Sequence, residues 1–484
     1  MHWLHFVQIA YVIILVLVCL RIIYDTRNTA KALGYLMIVI FLPVIGILIY
    51  FSFGVNYRKR KMYSKKLMLD EALAEQLRAE ILQYSRNTFH QHREIVESNA
   101  ELARLLVRDS LSPLTTGNSV KLLINGENKF PEVFKAIASA KHHVHIEYYI
   151  YEDDDIGRSL AALLIQKARE GVAVRFIYDD FGSRSIRRRL VQEMREAGVQ
   201  AYPFYELTFI AFANRANYRN HRKIIVIDGN TGFVGGINVS DRYINHRPGQ
   251  QLYWRDTHLR IDGPGVLYLQ YLFLCDWNFC AGATLQPDQH YFPSPSYEAT
   301  KHGKVVQIAA SGPDSDRPTI LFSLLQAINL ATTELLIATP YFIPDDSLLN
   351  SLLVAALGGV QVKLLVPGVS DSIFVNAAAH SYYTDLLRAG AEVYFYKKGF
   401  LHAKTLVADK KITIVGTANM DHRSFDLNFE VNAIVYDEEF AQASAAIFYE
   451  DLRDAEKLDY RTWIRRPFLK KFGERTARLL SPLL

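Results

Sequence analysis

The stretch NHRKIIVIDGNTGFVGGINVSD, Asn220 to Asp241, decides how the rest of the chain reads. Two apolar runs of strand composition flank a Gly-Asn turn, which is the pattern of a β-hairpin. The first run nevertheless opens on His221 and Lys223. Residues i and i+2 of a strand project from one face, so these two ionisable groups point the same way. A close relative, LHAKTLVADKKITIVGTANMD, spans Leu401 to Asp421. His221, Lys223, Asp228, Gly235, Gly236 and Asn238 in the first copy answer to His402, Lys404, Asp409, Gly416, Thr417 and Asn419 in the second, at identical spacing.

Each hairpin closes the same series of elements. VKLLING, PEVFKAIASAK and HVHIEYYIY read as strand, helix and strand, followed by SLAALLIQKAREG (helix), VAVRFIYDDFG (strand), RRRLVQEMREAG (helix) and VQAYPFY (strand). VVQIAAS, TILFSLLQAINLA, ELLIATPYFIP, LLNSLLVAALGG, VQVKLLVPG, TDLLRAG and AEVYFY repeat that order. Ala197-Gly198 and Ala389-Gly390 end helices at matching places, as do Gly171 and Gly359, so an internal duplication accounts for both halves. Alternating helices and continuous apolar strands predict an α/β fold of two α/β/α sandwiches with largely parallel sheets, over residues 113–295 and 296–484.

With 484 residues, half of them apolar, the chain has material for two cores and a membrane part. The net charge of +5 is a weak bias, but basic residues cluster at Arg58 to Lys61 and near the C-terminus, where a membrane surface is a better partner than nucleic acid. Three cysteines (Cys19, Cys275, Cys280) without a C-x-x-C pair argue against a disulfide framework or zinc knuckle. Two apolar runs, Trp3 to Leu20 and Leu33 to Gly54, are each long enough to cross a hydrocarbon core of about 30 Å. The first lacks the basic start and cleavage site of a signal peptide, and residues 1–57 read as a transmembrane helical hairpin. Arg58, Lys59, Arg60, Lys61, Lys65 and Lys66 behind the second run place both chain ends in the cytoplasm. Residues 58–112 read as a basic juxtamembrane helical linker ending at Ser112-Pro113.

The duplicated set suits a phosphodiester. Imidazole can attack phosphorus or protonate a leaving alkoxide, lysine supplies positive charge, and asparagine donates neutral hydrogen bonds to phosphoryl oxygens. A lone His at a strand edge is usually a satisfied structural residue, but two copies in matched contexts point to catalysis. Asp228 and Asp409 complete the catalytic candidate set as its weaker members. Seven residues beyond each histidine, they have the wrong strand parity to point with it, which favours a role in holding the turn.

Both copies resemble the H-x-K-x4-D motif, with a downstream G-G/S/T-x-N, of the phospholipase D superfamily. The resemblance runs from about Leu114 to the end. The N-terminal hairpin, the YWRDTHLRIDG segment and the terminal LLSPLL are similar to bacterial cardiolipin synthases. It implies two repeats sharing one central site and transfer of a phosphatidyl group through a covalent phosphohistidine, without metal or nucleotide cofactor. The substrate would be a phospholipid, phosphatidylglycerol, giving cardiolipin and glycerol in a bacterial inner membrane; hydrolysis as a phospholipase D, or lipid binding without turnover, are the rival readings. By motif position His221 would be the nucleophile and His402 the general acid/base. Lys223, Lys404, Asn238 and Asn419 would bind phosphoryl oxygens, and Asp256 and Glu430 would orient the histidines. The second copy departs in having Gly-Thr for Gly-Gly, and its carboxylate follows the Asn by eleven positions rather than eighteen, so the halves are not strictly equivalent.

Other signals carry less. Glu152 to Gly157 (EDDDIG) sits where Asp caps a helix, which outweighs a metal site. Glu147 reads as a satisfied buried carboxylate, and His142, His143 and His145 as surface or strand-edge histidines. The C-terminal WIRRPFLKKFGERTARLLSPLL either lies on anionic lipid as an interfacial helix or packs on the second domain.

Overall fold

The computed structural model describes residues 2–26, 29–51, 75, 79, 81–206, 218–245, 252–281, 284–293, 303–479 and 481. The basic cluster after the second apolar run, and Pro482 to Leu484, lie outside them.

The duplication appears as two half-sheets of like order. From its outer edge, the first half runs Gln200–Pro203, Ala173–Tyr178, His143–Tyr148, Lys223–Ile227, Thr231–Gly235, Thr257–Asp262 and Thr115–Ile124. The second runs Glu392–Tyr396, Gln361–Pro367, Glu334–Ala338, Thr405–Ala408, Ile412–Gly416, Asn428–Tyr436 and Lys304–Ser311, with Ala455–Lys457 added at its edge. Thr115–Ile124 and Lys304–Ser311 pair antiparallel, so the halves fuse into one sheet, sixteen-stranded among the described residues once Arg219–Asn220, paired beside Asn428–Tyr436, is included. This corrects the expectation of two largely parallel sheets. Within each half of this sheet, among the described residues, parallel pairing is confined to the three strands linked through helices, and the hairpin and the two innermost strands pair antiparallel.

The motif strand Lys223–Ile227 shows why its composition reads as it does. Ile225 and Ile227 face a core built with Phe130, Val133, Ile137, Leu160 and Leu164 of the helices Asn125–Ala138 and Asp155–Arg169. Ile224 and Val226 face the opposite layer, against Val266 and Leu269 of the helix Val266–Cys280. A strand covered on both sides has no polar face, and burying each such side chain is worth about 1.5–3 kcal/mol. Asp154 caps the helix Asp155–Arg169 by accepting from the Gly157 N–H, which gives the acidic run its structural role.

At the N-terminus, the helix His2–Asp25 has the length and hydropathy to cross a membrane. The second apolar run differs from expectation: it is split into helices Thr29–Phe41 and Pro43–Ile49. Pro43 has no N–H to continue the ladder and instead begins a new helix, the position that suits it. Val18 and Ile22 pack with Val39 and Tyr50 across the helices. The end of the predicted linker is not a free collar. Leu102, Ala103 and Leu106 of the helix Ala100–Ser110 belong to the second repeat's core, with Leu321 and Leu324. At the other end, the helix Phe468–Arg478 packs on Ile373–Arg388 through Glu474, which meets His380 at 3.3 Å and Arg466 at 2.6 Å.

Candidate active site

Two short strand pairings cross between the repeats and assemble the site. Arg219–Asn220, just before His221, pairs with Asn428–Phe429 of the second repeat, and the His221 N–H donates to the Phe429 carbonyl at 3.0 Å. Gly399–Leu401, just before His402, pairs with Tyr253–Arg255 of the first, and the His402 N–H donates to the Arg255 carbonyl at 2.7 Å. In both cases the residue after that carbonyl is the carboxylate that holds the imidazole. His221 Nδ1 lies 2.9 Å from both carboxylate oxygens of Glu430, and His402 Nδ1 lies 2.6 Å from Asp256 Oδ2. Each histidine is therefore served by the other repeat. Counting from Asn238 or Asn419 along one copy, as sequence spacing invites, pairs each carboxylate with the wrong imidazole.

An ionised carboxylate can only accept, so each Nδ1 carries the proton and each Nε2 keeps its lone pair. Both rings are buried, and burial pushes them to about 4 at His221 and about 3 at His402, where the nearby Lys404 ammonium lowers it further against the pull of Asp256. Burial raises the Asp256 and Glu430 carboxyls, but the facing imidazoles and lysines outweigh it and hold both below their ordinary range. The resting site thus has neutral imidazoles, ionised carboxylates and two lysines.

Those lysines are equivalent in detail. Lys223 Nζ donates to the His221 carbonyl at 2.9 Å and Lys404 Nζ to the His402 carbonyl. Burial lowers Lys223 to about 7 and Lys404 to about 8. The amide of Asn238 donates to the Tyr243 hydroxyl at 2.9 Å, and that of Asn419 to Asp421 at 3.1 Å, leaving the buried Asn419 Oδ1 without a hydrogen-bond partner among the described residues. Histidines, lysines, carboxylates and asparagines of both copies gather in this way around one centre.

The third members of the motifs do not join them. Asp228 and Asp409 occupy the turns at the far ends of their strands, with positive φ of 50° and 51°. Asp228 accepts from the backbone N–H groups of Lys141, His142 and His143, and Asp409 from those of Thr332, Thr333 and Glu334. Each lashes the hairpin turn to the start of a neighbouring strand, as their parity suggests.

The difference between Gly-Gly and Gly-Thr also has a local cause. A Cβ on Gly236 would stand 2.1 Å from Asp256 Oδ1, so the shorter carboxylate needs glycine there. At the equivalent place Thr417 donates its hydroxyl to Glu430.

Several supporting residues were not legible as such. Tyr149 packs edge-on to the His221 ring with centroids 4.7 Å apart, whereas Trp254, Phe400 and Tyr243 surround His402 at 5.7–5.9 Å. Arg222, between the motif His and Lys, points to the opposite face and pairs with Asp276, while Glu147 accepts from Asn220. Burial and the nearby Asp276 keep the Glu147 carboxyl raised. Correcting the surface assignment, His143 and His145 are fully buried and share Gln270, and His145 stacks on Phe273. Strand position alone could not show that Val266–Cys280 covers them.

The family described as cardiolipin synthase, PLD-like domain, matches residues 133–253 and 324–452, and the phospholipase D-nuclease N-terminal family matches residues 11–54. The chain is 40% identical over 479 residues to the major cardiolipin synthase of Bacillus subtilis (strain 168), covering 97% of each chain. It is 40% identical over 463 residues to a cardiolipin synthase of Geobacillus sp. (strain WCH70), covering 95% of this chain and 90% of the relative. Among solved structures, a phosphatidylserine synthase of Haemophilus influenzae Rd KW20 superposes with a TM-score of 0.60 at 14% identity, over 79% of this chain and all of that one, a likeness of fold. With its two motif copies completing each other across one sheet, the chain belongs to the cardiolipin synthase family of phospholipase D-like proteins.

Proposed function

We propose that the protein is a cardiolipin synthase that moves a phosphatidyl group from one phosphatidylglycerol to another. The observation that carries this is the pair of imidazoles, each with Nδ1–H tied to a carboxylate of the other repeat and each flanked by a buried lysine. One Nε2 attacks phosphorus while the P–O bond to the head-group glycerol breaks, and the departing oxygen takes a proton from the other, protonated imidazole. That imidazole, now neutral, removes the proton from the second lipid's hydroxyl, whose oxygen bonds phosphorus as the P–N bond breaks. Motif order gives the attack to His221 and the proton transfers to His402. The bound phosphodiester supplies the negative charge that lets one buried imidazole protonate at neutral pH. Lys223, Lys404, Asn238 and Asn419 hold the phosphoryl oxygens as charge develops there.

No step needs a metal or a nucleotide, because phosphodiester number is conserved and the cationic residues do the charge stabilisation. The helices Thr29–Phe41 and Pro43–Ile49 together make the return crossing of the membrane, with both chain ends and the catalytic repeats on the cytoplasmic side; a reporter fused after Leu484 and found in the periplasm would refute this orientation.

The function is tested by incubating the purified protein with labelled phosphatidylglycerol in mixed micelles containing a chelator. Cardiolipin with equimolar glycerol is the expected product. Phosphatidic acid alone would mean water is the acceptor, and activity restored only by metal would refute the metal-free mechanism.

A further inference from the structure

The strands Ala173–Tyr178 and Gln361–Pro367 are equivalents in the two repeats, and the loop that leaves the C-terminal end of the first reaches the rim of the active site through Asp179, which accepts from the Asn220 N–H at 3.0 Å. In the second repeat this loop carries Asp371, which accepts from the Tyr341 hydroxyl at 2.5 Å and lies near enough to Lys404 to act on its charge. Directly after it, at the start of the helix Ile373–Arg388, Ile373 and Phe374 are 86% and 66% exposed. Contacts of His380 with Glu474 and of Tyr382 with Ser481 show that the terminal helix Phe468–Arg478 runs parallel to this one, so both begin at the same end. There Phe468 and Leu469 are 74% and 80% exposed, and Phe472 follows one turn later. Large apolar side chains gathered like this on one end of a protein mark an interaction surface rather than ordinary scatter.

The charges beside them identify the partner. Lys470 and Arg475 are exposed on the same terminal helix. The equivalent rim loop of the first repeat holds Arg184, stacked on the half-exposed Phe181 at 4.3 Å, and the exposed Arg188. Apolar side chains flanked by cations match an anionic lipid surface, where aromatic and aliphatic groups enter the acyl boundary and arginines and lysines meet phosphates.

We propose that this rim is a membrane-docking face: Ile373, Phe374, Phe468, Leu469 and Phe472 insert into the anionic leaflet while Arg184, Arg188 and Lys470 bind its head groups, holding the mouth of the active site against the bilayer. The inference deepens the lipid-substrate reading and rests on it for the purpose of the docking, but not for its detection. A lipid substrate then reaches the histidines without its tails leaving the membrane. The terminal helix both packs on the second repeat and meets lipid, because it uses different faces for the two.

The test uses the full chain, with Cys19 and Cys280 replaced by Ser and a fluorophore on a cysteine placed at Phe374 or Leu469. A third label at the exposed Leu357, at the opposite end of its helix from the rim, is the control. In nanodiscs containing phosphatidylglycerol, brominated acyl chains should quench the labels at Phe374 and Leu469 by about two-fold or more and leave Leu357 unchanged. Equal response at all three sites overturns the proposal, as does shielding of the rim labels in detergent by a second copy, seen as a dimer in sedimentation. Independently, I373S/F374S and F468S/F472S should lower turnover of long-chain phosphatidylglycerol in bilayers by about five-fold or more while sparing a short-chain lipid dispersed as monomers. Equal loss on both substrates would mean the side chains only support the fold. Quenching is read without turnover, so an enzyme that makes no cardiolipin would refute the proposed function and leave this result standing.

Discussion

Replacing Asp256 by Asn should damage catalysis more than replacing it by Ala, although Asn is the closer mimic. The two carboxylate oxygens have different duties: Oδ1 accepts from the Thr257 backbone N–H at 2.7 Å, and Oδ2 accepts from His402 Nδ1 at 2.6 Å. The backbone donor is fixed, so in D256N the amide oxygen must take the Oδ1 place and the NH2 must face Nδ1. A donor there forces the proton of His402 onto Nε2, the atom that must accept one. In D256A the loss is that of a charge-assisted hydrogen bond, about 1.5–3 kcal/mol, or roughly ten- to one-hundred-and-fifty-fold in kcat. In D256N the wrong tautomer is added, and the comparable substitution in a serine-protease triad costs about 10⁴-fold. The assay is cardiolipin formation under saturating phosphatidylglycerol, together with nitrogen NMR of labelled histidines. D256N should erase the Nδ1–H signal of His402 and leave that of His221, with E430Q doing the reverse. A D256N enzyme faster than D256A, or one whose His221 signal is the one lost, would refute the cross-repeat pairing.

Three further outcomes follow from the same geometry. D228A and D409A each strand three backbone donors, so they should lower unfolding stability by about 2–3 kcal/mol while the folded fraction keeps near-normal specific activity. Both carboxyls sit below their ordinary 3.8, because the backbone N–H groups they accept from outweigh the effect of burial, so this stabilisation is present above pH 3.8 and fades as pH falls through and below it. The free-enzyme kcat/KM should fall as pH rises past about 7 to about 8, where Lys223 and Lys404 lose their charge; a profile flat up to the ordinary lysine value of 10.5 would remove them from phosphate binding. Because burial and the nearby Asp276 hold the Glu147 carboxyl well above its ordinary range, E147Q should cost less in thermal melts and turnover than D276N, which leaves Arg222 buried beside a weakened partner and should cost about 3–5 kcal/mol.

Much of this was readable from the residues. The repeat, the strand nature of IIVI and TLVA, and the convergence of His and Lys on one face all follow from spacing, whereas Asp228 and Asp409 stood in the catalytic set as its weaker members and their parity only hinted at the turn-holding place they occupy. The sheet's direction was not readable, because alternation of helix and strand speaks only for the parallel outer strands. The strand Asn428–Tyr436, next to the innermost of its half, is buried along its whole length yet interrupted by Glu430 and Asn432, so polarity hid it. The partner of each histidine was invisible for a different reason: it depends on a contact spanning 209 residues for His221 and 146 for His402. No local pattern reports a pairing made only when two halves meet.

That long reach bears on how the enzyme comes into being. During synthesis the first repeat leaves the ribosome, behind an anchor already available to the membrane, with His221 made but its carboxylate, Glu430, still to be translated. Domains tend to fold in order of emergence, yet here neither half can complete its own imidazole. Both imidazoles are completed only once Asn428–Phe429 lies beside Arg219–Asn220 and Gly399–Leu401 beside Tyr253–Arg255. A truncated or stalled chain at the bilayer would hold one imidazole without its carboxylate and, on the proposed mechanism, without the second histidine, so that topology alone would keep a half-made centre from the lipids around it.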